Sequence, residues 1–201
     1  MPPTPRLRLL LVLLAACGGS APAPGSPGIT AAGEPASKPR TAASQPASKE
    51  VSEDAFGPLE VGADYASYRR LTDQPFRSLV HGNRWVHVYV NELGAEAYLD
   101  GGDIPVGTIV VKTSVQNVDG QPSDIEGPIF VMEKRAKGYA PEHGDWWYAI
   151  HWASPPPDEA KRFGGPIYWR GRSPRVAYCW KCHDDYVNSL GGLVPSSLLP
   201  R

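Results

Sequence analysis

Residues 84–92, Arg-Trp-Val-His-Val-Tyr-Val-Asn-Glu, alternate without a break. Val86, Val88 and Val90 fall on one side of an extended chain, and Trp85, His87 and Tyr89 fall on the other. That period of two, in β-branched and aromatic residues, specifies a strand. Downstream, residues 94–99 predict a short helix, and Gly-Gly-Asp-Ile-Pro-Val-Gly (101–107) is turn chemistry. Further strands are expected at 108–116 (TIVVKTSVQ), 128–135 (PIFVMEKR) and 145–153 (DWWYAIHWA), with a Gly/Pro/Asp-rich loop between the first two. Upstream, Tyr65, Tyr68, Arg69, Arg70 and Leu71 suit a short amphipathic helix. Pro155, Pro156 and Pro157 break the chain. Four strands with short helices at either end imply an α+β fold built on a small, mainly antiparallel sheet. The chain has no internal repeat unit, dinucleotide fingerprint, P-loop or nucleophile elbow.

Composition places this domain within the 201 residues. All 19 aromatic residues lie at or after Phe56, whereas the first 55 residues hold 9 of the 22 prolines. A stretch without aromatics and rich in Pro, Ala, Gly and Ser cannot bury enough apolar surface to offset its conformational entropy. The globular domain is therefore expected over 56–201. There, 15 Lys and Arg face 17 Asp and Glu, a balance that argues against a nucleic-acid partner. At the start of the chain, Arg6 and Arg8 precede the apolar run 9–16, the layout of an export signal and too short to span a bilayer. Leu14-Ala15-Ala16-Cys17 resembles a bacterial lipobox. The expectation is a signal at 1–16 and a mature start at a lipidated Cys17, the alternative being an ordinary signal that contains a cysteine. Residues 17–55, with the related pieces EPASKP (34–39) and QPASKE (45–50), then form a tether. The domain is expected at the bacterial cell envelope, facing periplasm or exterior, with membrane contact through the lipid alone.

Three cysteines, Cys17, Cys179 and Cys182, do not make a disulfide framework. Cys179-Trp180-Lys181-Cys182-His183 is C-x-x-C-H, the attachment signature of one haem c. Two thiols spaced by two residues add to the two vinyl groups, and the adjoining histidine becomes the proximal ligand of the iron. A thioredoxin-like dithiol has no need of the histidine, and zinc leaves its fourth ligand unidentified. Met132, His81, His87, His143 and His151 are the candidates for a sixth ligand, with an open sixth position expected. Trp146, Trp147, Trp152 and Trp169 are expected in the core or a dimer contact, and Trp180, inside the motif, is a candidate electron exit. The tail from 191 is expected to wrap the surface.

The order of segments resembles the cytochrome P-460 family over residues 60–190. The resemblance rests on Tyr65, Tyr68 and Arg69; on His81 ahead of VHVYVN (86–91); on Ala97-Tyr98 and Pro105; on Gly107-Thr108-Ile109-Val110-Val111-Lys112; on Gly144-Asp145-Trp146-Trp147; and on the terminal C-x-x-C-H. It implies an α+β fold, often in a homodimer, and a c-type haem with a proximal histidine and a vacant distal side. In hydroxylamine-oxidising members a lysine is also bonded to the porphyrin edge, and Lys112 stands at that position. A solvent-side lysine is the alternative, because Thr108 and Ser114 share its side of the strand. The family's acid after this lysine is replaced by Thr113. Phe130 aligns near the distal glutamate, with Glu133 close by. A phenylalanine there is similar to the related cytochrome c′-beta proteins, which bind nitric oxide without the cross-link.

Two functions follow from the resemblance. One is a redox enzyme acting on hydroxylamine or nitric oxide, with Glu133, His81 or His87 as distal proton acceptor and a partner cytochrome taking electrons. The other is a nitric-oxide-binding or electron-transfer haem protein without turnover.

Overall fold

The computed structural model describes residues 52–186 and 189. The expected export signal, the lipidated Cys17, nearly all of the tether and the tail from 191 lie outside the described residues. Alternation at 84–92 produces the strand β3 (Arg84–Val90), with Val86, Val88 and Val90 fully buried. Each buried valine contributes roughly 1.5–3 kcal/mol relative to an exposed one. The other strands are β1 (Arg69–Arg70), β2 (Phe76–Ser78), β4 (Ile109–Val118), β5 (Gln121–Glu126), β6 (Ile129–Lys134), β7 (Trp146–Trp152) and β8 (Ile167–Arg170). They form one eight-stranded sheet whose pairings are all antiparallel. Its path runs β3-β4-β6-β7-β8, with β1 and β2 side by side on the outer edge of β3 and β5 paired to β4. Helices α1 (Glu92–Asp100), α2 (Pro157–Phe163) and α3 (Ala177–His183) complete an α+β architecture.

The four strands expected from sequence are β3, β4, β6 and β7. Four more were missed. The loop expected after β4 is a β-hairpin to β5, turning at Asp119 and Gly120, which both have positive φ (50° and 84°) as a type I′ turn requires. The helix expected over 65–71 is a single 3-10 turn, Tyr65–Ser67, after which Arg69 and Arg70 pair with Val90 and Tyr89 as β1. The proline run does not merely interrupt the chain. Pro156 caps α2 and Pro157 opens it, the first-turn position at which a missing N–H costs nothing. The domain also begins before residue 56: Glu53 accepts a hydrogen bond from Arg172 N at 2.6 Å, and Ser173 bonds Asp54.

Register sorts the side chains onto two faces. Val88, Lys112, Phe130, Ile150 and Trp169 form one cross-strand row. They belong to the larger core, which α1 and α3 cover through Ala95, Tyr98 and Cys179. Tyr89, Val111, Val131 and Ala149 form the neighbouring row on the other face, packed beneath the segment carrying Leu59, Val61 and Tyr65. Gly94 lets α1 lie close on β4: a Cβ there would stand 2.1 Å from the Thr108 methyl. Trp146 and Trp152 are buried in the larger core with Trp169 packed against it, and Trp147 is buried in the core of the other face.

Candidate functional site

The C-x-x-C-H segment lies on α3. Ser173 accepts a hydrogen bond from Arg175 N, a 3-10 turn follows (Pro174–Val176), and fully buried Val176 seats the start of the helix. Cys179 and Cys182, three apart, and His183, four after Cys179, share one helical face. Both thiols are free. His183 is buried, and its Nδ1 donates to Ser189 O at 2.8 Å, so the lone pair of Nε2 is available. Burial, aided by the Lys112 charge, lowers its pKa to about 4, which keeps the ring neutral as a metal ligand requires.

Between this face and the sheet lies a cleft of about 500 Å³, part of it open to solvent. Lys112, Phe130, Met132 and Tyr148 line it from the sheet, Cys179 and His183 from α3, and His81 from the β2–β3 loop. Lys112 is 7% exposed and has no hydrogen-bond or ion-pair partner among the described residues. The side of β4 that it shares with Thr108 and Ser114 is therefore the buried side, since Thr108 is fully buried and Ser114 is 6% exposed. The solvent-facing reading of Lys112 is overturned. Burial brings the Lys112 amine down to about 8, opposed by the nearby Cys179. Burial likewise raises the Cys179 thiol to about 12, opposed by Lys112. The Tyr148 hydroxyl is buried with no partner among the described residues and lies on the ring that packs 5.4 Å from His183.

His81 stands across the cleft, its ring centroid 6.5 Å from that of His183 and 4.8 Å from that of Phe130. Its Nδ1 is bonded to Ser78 Oγ at 2.7 Å. Burial, and then the Lys112 charge, hold this imidazole far below its ordinary pKa and so neutral.

The other histidines are elsewhere. His87 is on the opposite face, bonded to Thr72 Oγ1 at 3.0 Å; His151, also on that face, bonds Gly57 O through Nε2. His143 pairs with Asp184 at 2.7 Å and stacks on Trp180 outside the cleft. Glu133 projects from the opposite face, 2.6 Å from Arg135. Neither Glu133 nor His87 can serve the cleft as proton acceptor. Met132 reaches it but is packed into the core. Sequence reasoning missed Tyr148. Its place follows from its register opposite Met132, which becomes readable only when the order β4-β6-β7 is known.

The family model for cytochrome P460 matches residues 63–189. The chain belongs to the cytochrome P460 family. No curated protein matches the sequence. Membership implies a haem, and the cleft of this cytochrome P460 fits one: an apolar space bordered by two thiols, a histidine with a free nitrogen and the Lys112 amine, at which the buried Tyr148 hydroxyl lacks a partner among the described residues. The space continues past Val80, His81, Phe130 and Tyr178 into a second cleft that reaches Arg84 and Trp152. Arg84 is 8% exposed and has Glu159 at 3.4 Å, and Trp152 Nε1 is buried without a partner among the described residues. A cation and an indole N–H at that end suit the carboxylates of an amphiphile whose other end is apolar. Among the described residues no group of three or more His, Cys, Asp or Glu side chains is placed to hold a metal ion.

Proposed function

We propose that the protein is an exported, lipid-anchored mono-haem c-type cytochrome that takes a small nitrogen species, hydroxylamine or nitric oxide, and exchanges electrons with a partner cytochrome. The supporting observation is the single helical face that joins Cys179, Cys182 and the buried His183, with Nδ1 held by Ser189 O and Nε2 left free toward a cleft containing Lys112. Cys179 and Cys182 would hold the cofactor by thioether bonds, His183 would ligate the iron, and Arg84 and Trp152 would receive its carboxylates. The haem, when bound, supplies the redox centre and the site for the nitrogen species. Burial lowers the Lys112 amine to about 8, so it reaches the neutral, nucleophilic form that a bond to the porphyrin edge requires at lower pH than an ordinary lysine. Phe130 and Val80 add apolar surface to the lining of the cleft.

A specific observation favours the second reading, a nitric-oxide-binding or electron-transfer protein of the cytochrome c′-beta type: no carboxylate is among the residues lining the cleft, and Phe130 is. Optical spectra of the ferrous holoprotein decide between them. A cross-linked haem gives a strongly red-shifted Soret band and a peptide joining Lys112 to the haem, with hydroxylamine consumed in the presence of an electron acceptor. An ordinary haem c spectrum, a free Lys112 and no turnover establish the second reading instead.

A further inference from the structure

Glu53 and Asp54 are exposed and line neither cleft, yet both are bonded to the turn that launches α3. Arg170 donates to Glu53 O through its backbone N–H at 3.2 Å and through Nη1 at 3.3 Å, and the same Nη1 reaches Ala55 O at 3.0 Å. Strand β8 is the last in the sheet's path, so this segment covers part of a free edge. Two carboxylates then hold the turn that follows β8. Glu53 Oε2 accepts from Arg172 N at 2.6 Å, and Asp54 Oδ1 accepts from Ser173 Oγ. Gly171 makes room for the first of them: its φ is +60°, and a Cβ there would strike the Glu53 carboxylate.

From the turn, the constraint reaches the C-x-x-C-H segment by a short route. Ser173 is buried, and its hydroxyl gives its hydrogen to Asp54 while its lone pair takes Arg175 N at 3.1 Å. Ser173 O accepts from Val176 N, and the fully buried Val176 immediately precedes α3. Helix α3 has only seven residues and no side-chain cap at its start. A helix that short is not stable alone, so its direction comes from what holds its ends. The far end is held by His183 Nδ1 on Ser189 O, and the near end by the turn. Two thioether bonds and one coordinate bond must form from three side chains of this one helix, a task that tolerates placement errors of about 0.5 Å.

We propose that Glu53 and Asp54 are positioning residues for the haem site, fixing the start of α3 so that Cys179, Cys182 and His183 meet the cofactor together. The inference rests on the proposed haem attachment, and the test separates the two. The full chain is produced with a cytochrome c maturation system in three forms: the natural sequence, the double variant Glu53→Ala with Asp54→Ala, and the double variant Glu53→Gln with Asp54→Asn, which keeps the accepting oxygens. Mass spectrometry counts thioether bonds per chain, potentiometry reads the reduction potential, and hydrogen exchange reads the backbone. In the alanine variant, backbone N–H groups of 172–183 should exchange about tenfold faster or more, the factor lost with one hydrogen bond to a charged group. Those of β3 and β4 should keep their natural rates. The share of chains with both thioether bonds should fall, and the reduction potential of the remaining holoprotein should shift. The Gln/Asn variant should return both toward the natural values. Faster exchange throughout the sheet would show a general loss of stability and overturns the inference, while leaving the haem reading intact. An unchanged potential and thioether count in the alanine variant overturns it as well, as does a Gln/Asn variant that restores neither. A natural sequence that takes up no covalent haem overturns the haem reading and this inference with it.

Discussion

The two faces of the sheet are made by the same strands from adjacent residues, yet they treat polar groups differently. On the face packed under residues 59–65, the polar side chains of Tyr168, His151 and His87 have partners, and Glu133 is paired with Arg135. Tyr168 Oη accepts from Glu60 N at 3.0 Å, His151 bonds Gly57 O and His87 bonds Thr72 Oγ1. On the face under α3, the Tyr148 hydroxyl and the Trp152 indole N–H are buried with no partner among the described residues, and His183 Nε2 is left free. Leaving a buried polar group unpaired costs about 1–3 kcal/mol. The unpaired groups that border a cleft, Tyr148 Oη and Trp152 Nε1, lie on the face under α3, which is the face for a ligand.

The largest expected effect falls on the second face. Replacing Cys179 and Cys182 together by alanine should abolish covalent haem on a denaturing gel, while circular dichroism of the sheet is retained. If attachment persists, the site has been assigned to the wrong residues. On the folding face, Tyr168→Ala empties a fully buried position. It should lower stability to denaturant by about 3–5 kcal/mol without altering haem attachment in the fraction that folds. A Tyr168→Ala chain that is stable but haem-free would merge two roles that the structure keeps apart.

A smaller effect concerns Lys112. Its amine titrates at about 8 in the folded chain, below the ordinary lysine value. The unfolded chain therefore binds more protons between these two values, and stability should rise with pH through that interval. The penalty is present in full below pH 8 and gone above about 10.5, a difference of roughly 3 kcal/mol. Denaturant titrations of the chain lacking both haem cysteines, at pH 7 and pH 10, should show this rise, and Lys112→Met should remove it. An unchanged slope in Lys112→Met would mean the amine is not buried uncompensated.

Much of the fold was legible from sequence, and the cause of each failure is visible. The runs that became β3, β4, β6 and β7 announce themselves because valine and aromatic residues alternate over six or more positions. β1, β2 and β8 have only two to four residues, too few for a period to show. β5 was hidden by its own turn, since Asp119-Gly120 reads equally as loop or as hairpin until the partner strand is known. The side of Lys112 was the hardest choice: Thr108 and Ser114 suggest solvent by residue type, but α1 packs on Thr108 and Ser114 donates to Pro128 O. The haem motif is local and needed no fold. His81 and Tyr148 are in the site through loop closure and strand register, which no single stretch encodes.

The smallest expected effect sharpens the contrast between histidines. His87→Gln, on the folding face, should leave the optical and magnetic spectra of the holoprotein unchanged and shift stability by about 1 kcal/mol or less. A spectral change there would place the ligand on the wrong side of the sheet.

The most direct measurement of the central claim is tandem mass spectrometry of the mature holoprotein after proteolysis. The account predicts one haem, joined through thioether bonds to both Cys179 and Cys182 in the peptide that carries His183. A haem-free peptide with both thiols unmodified would contradict it.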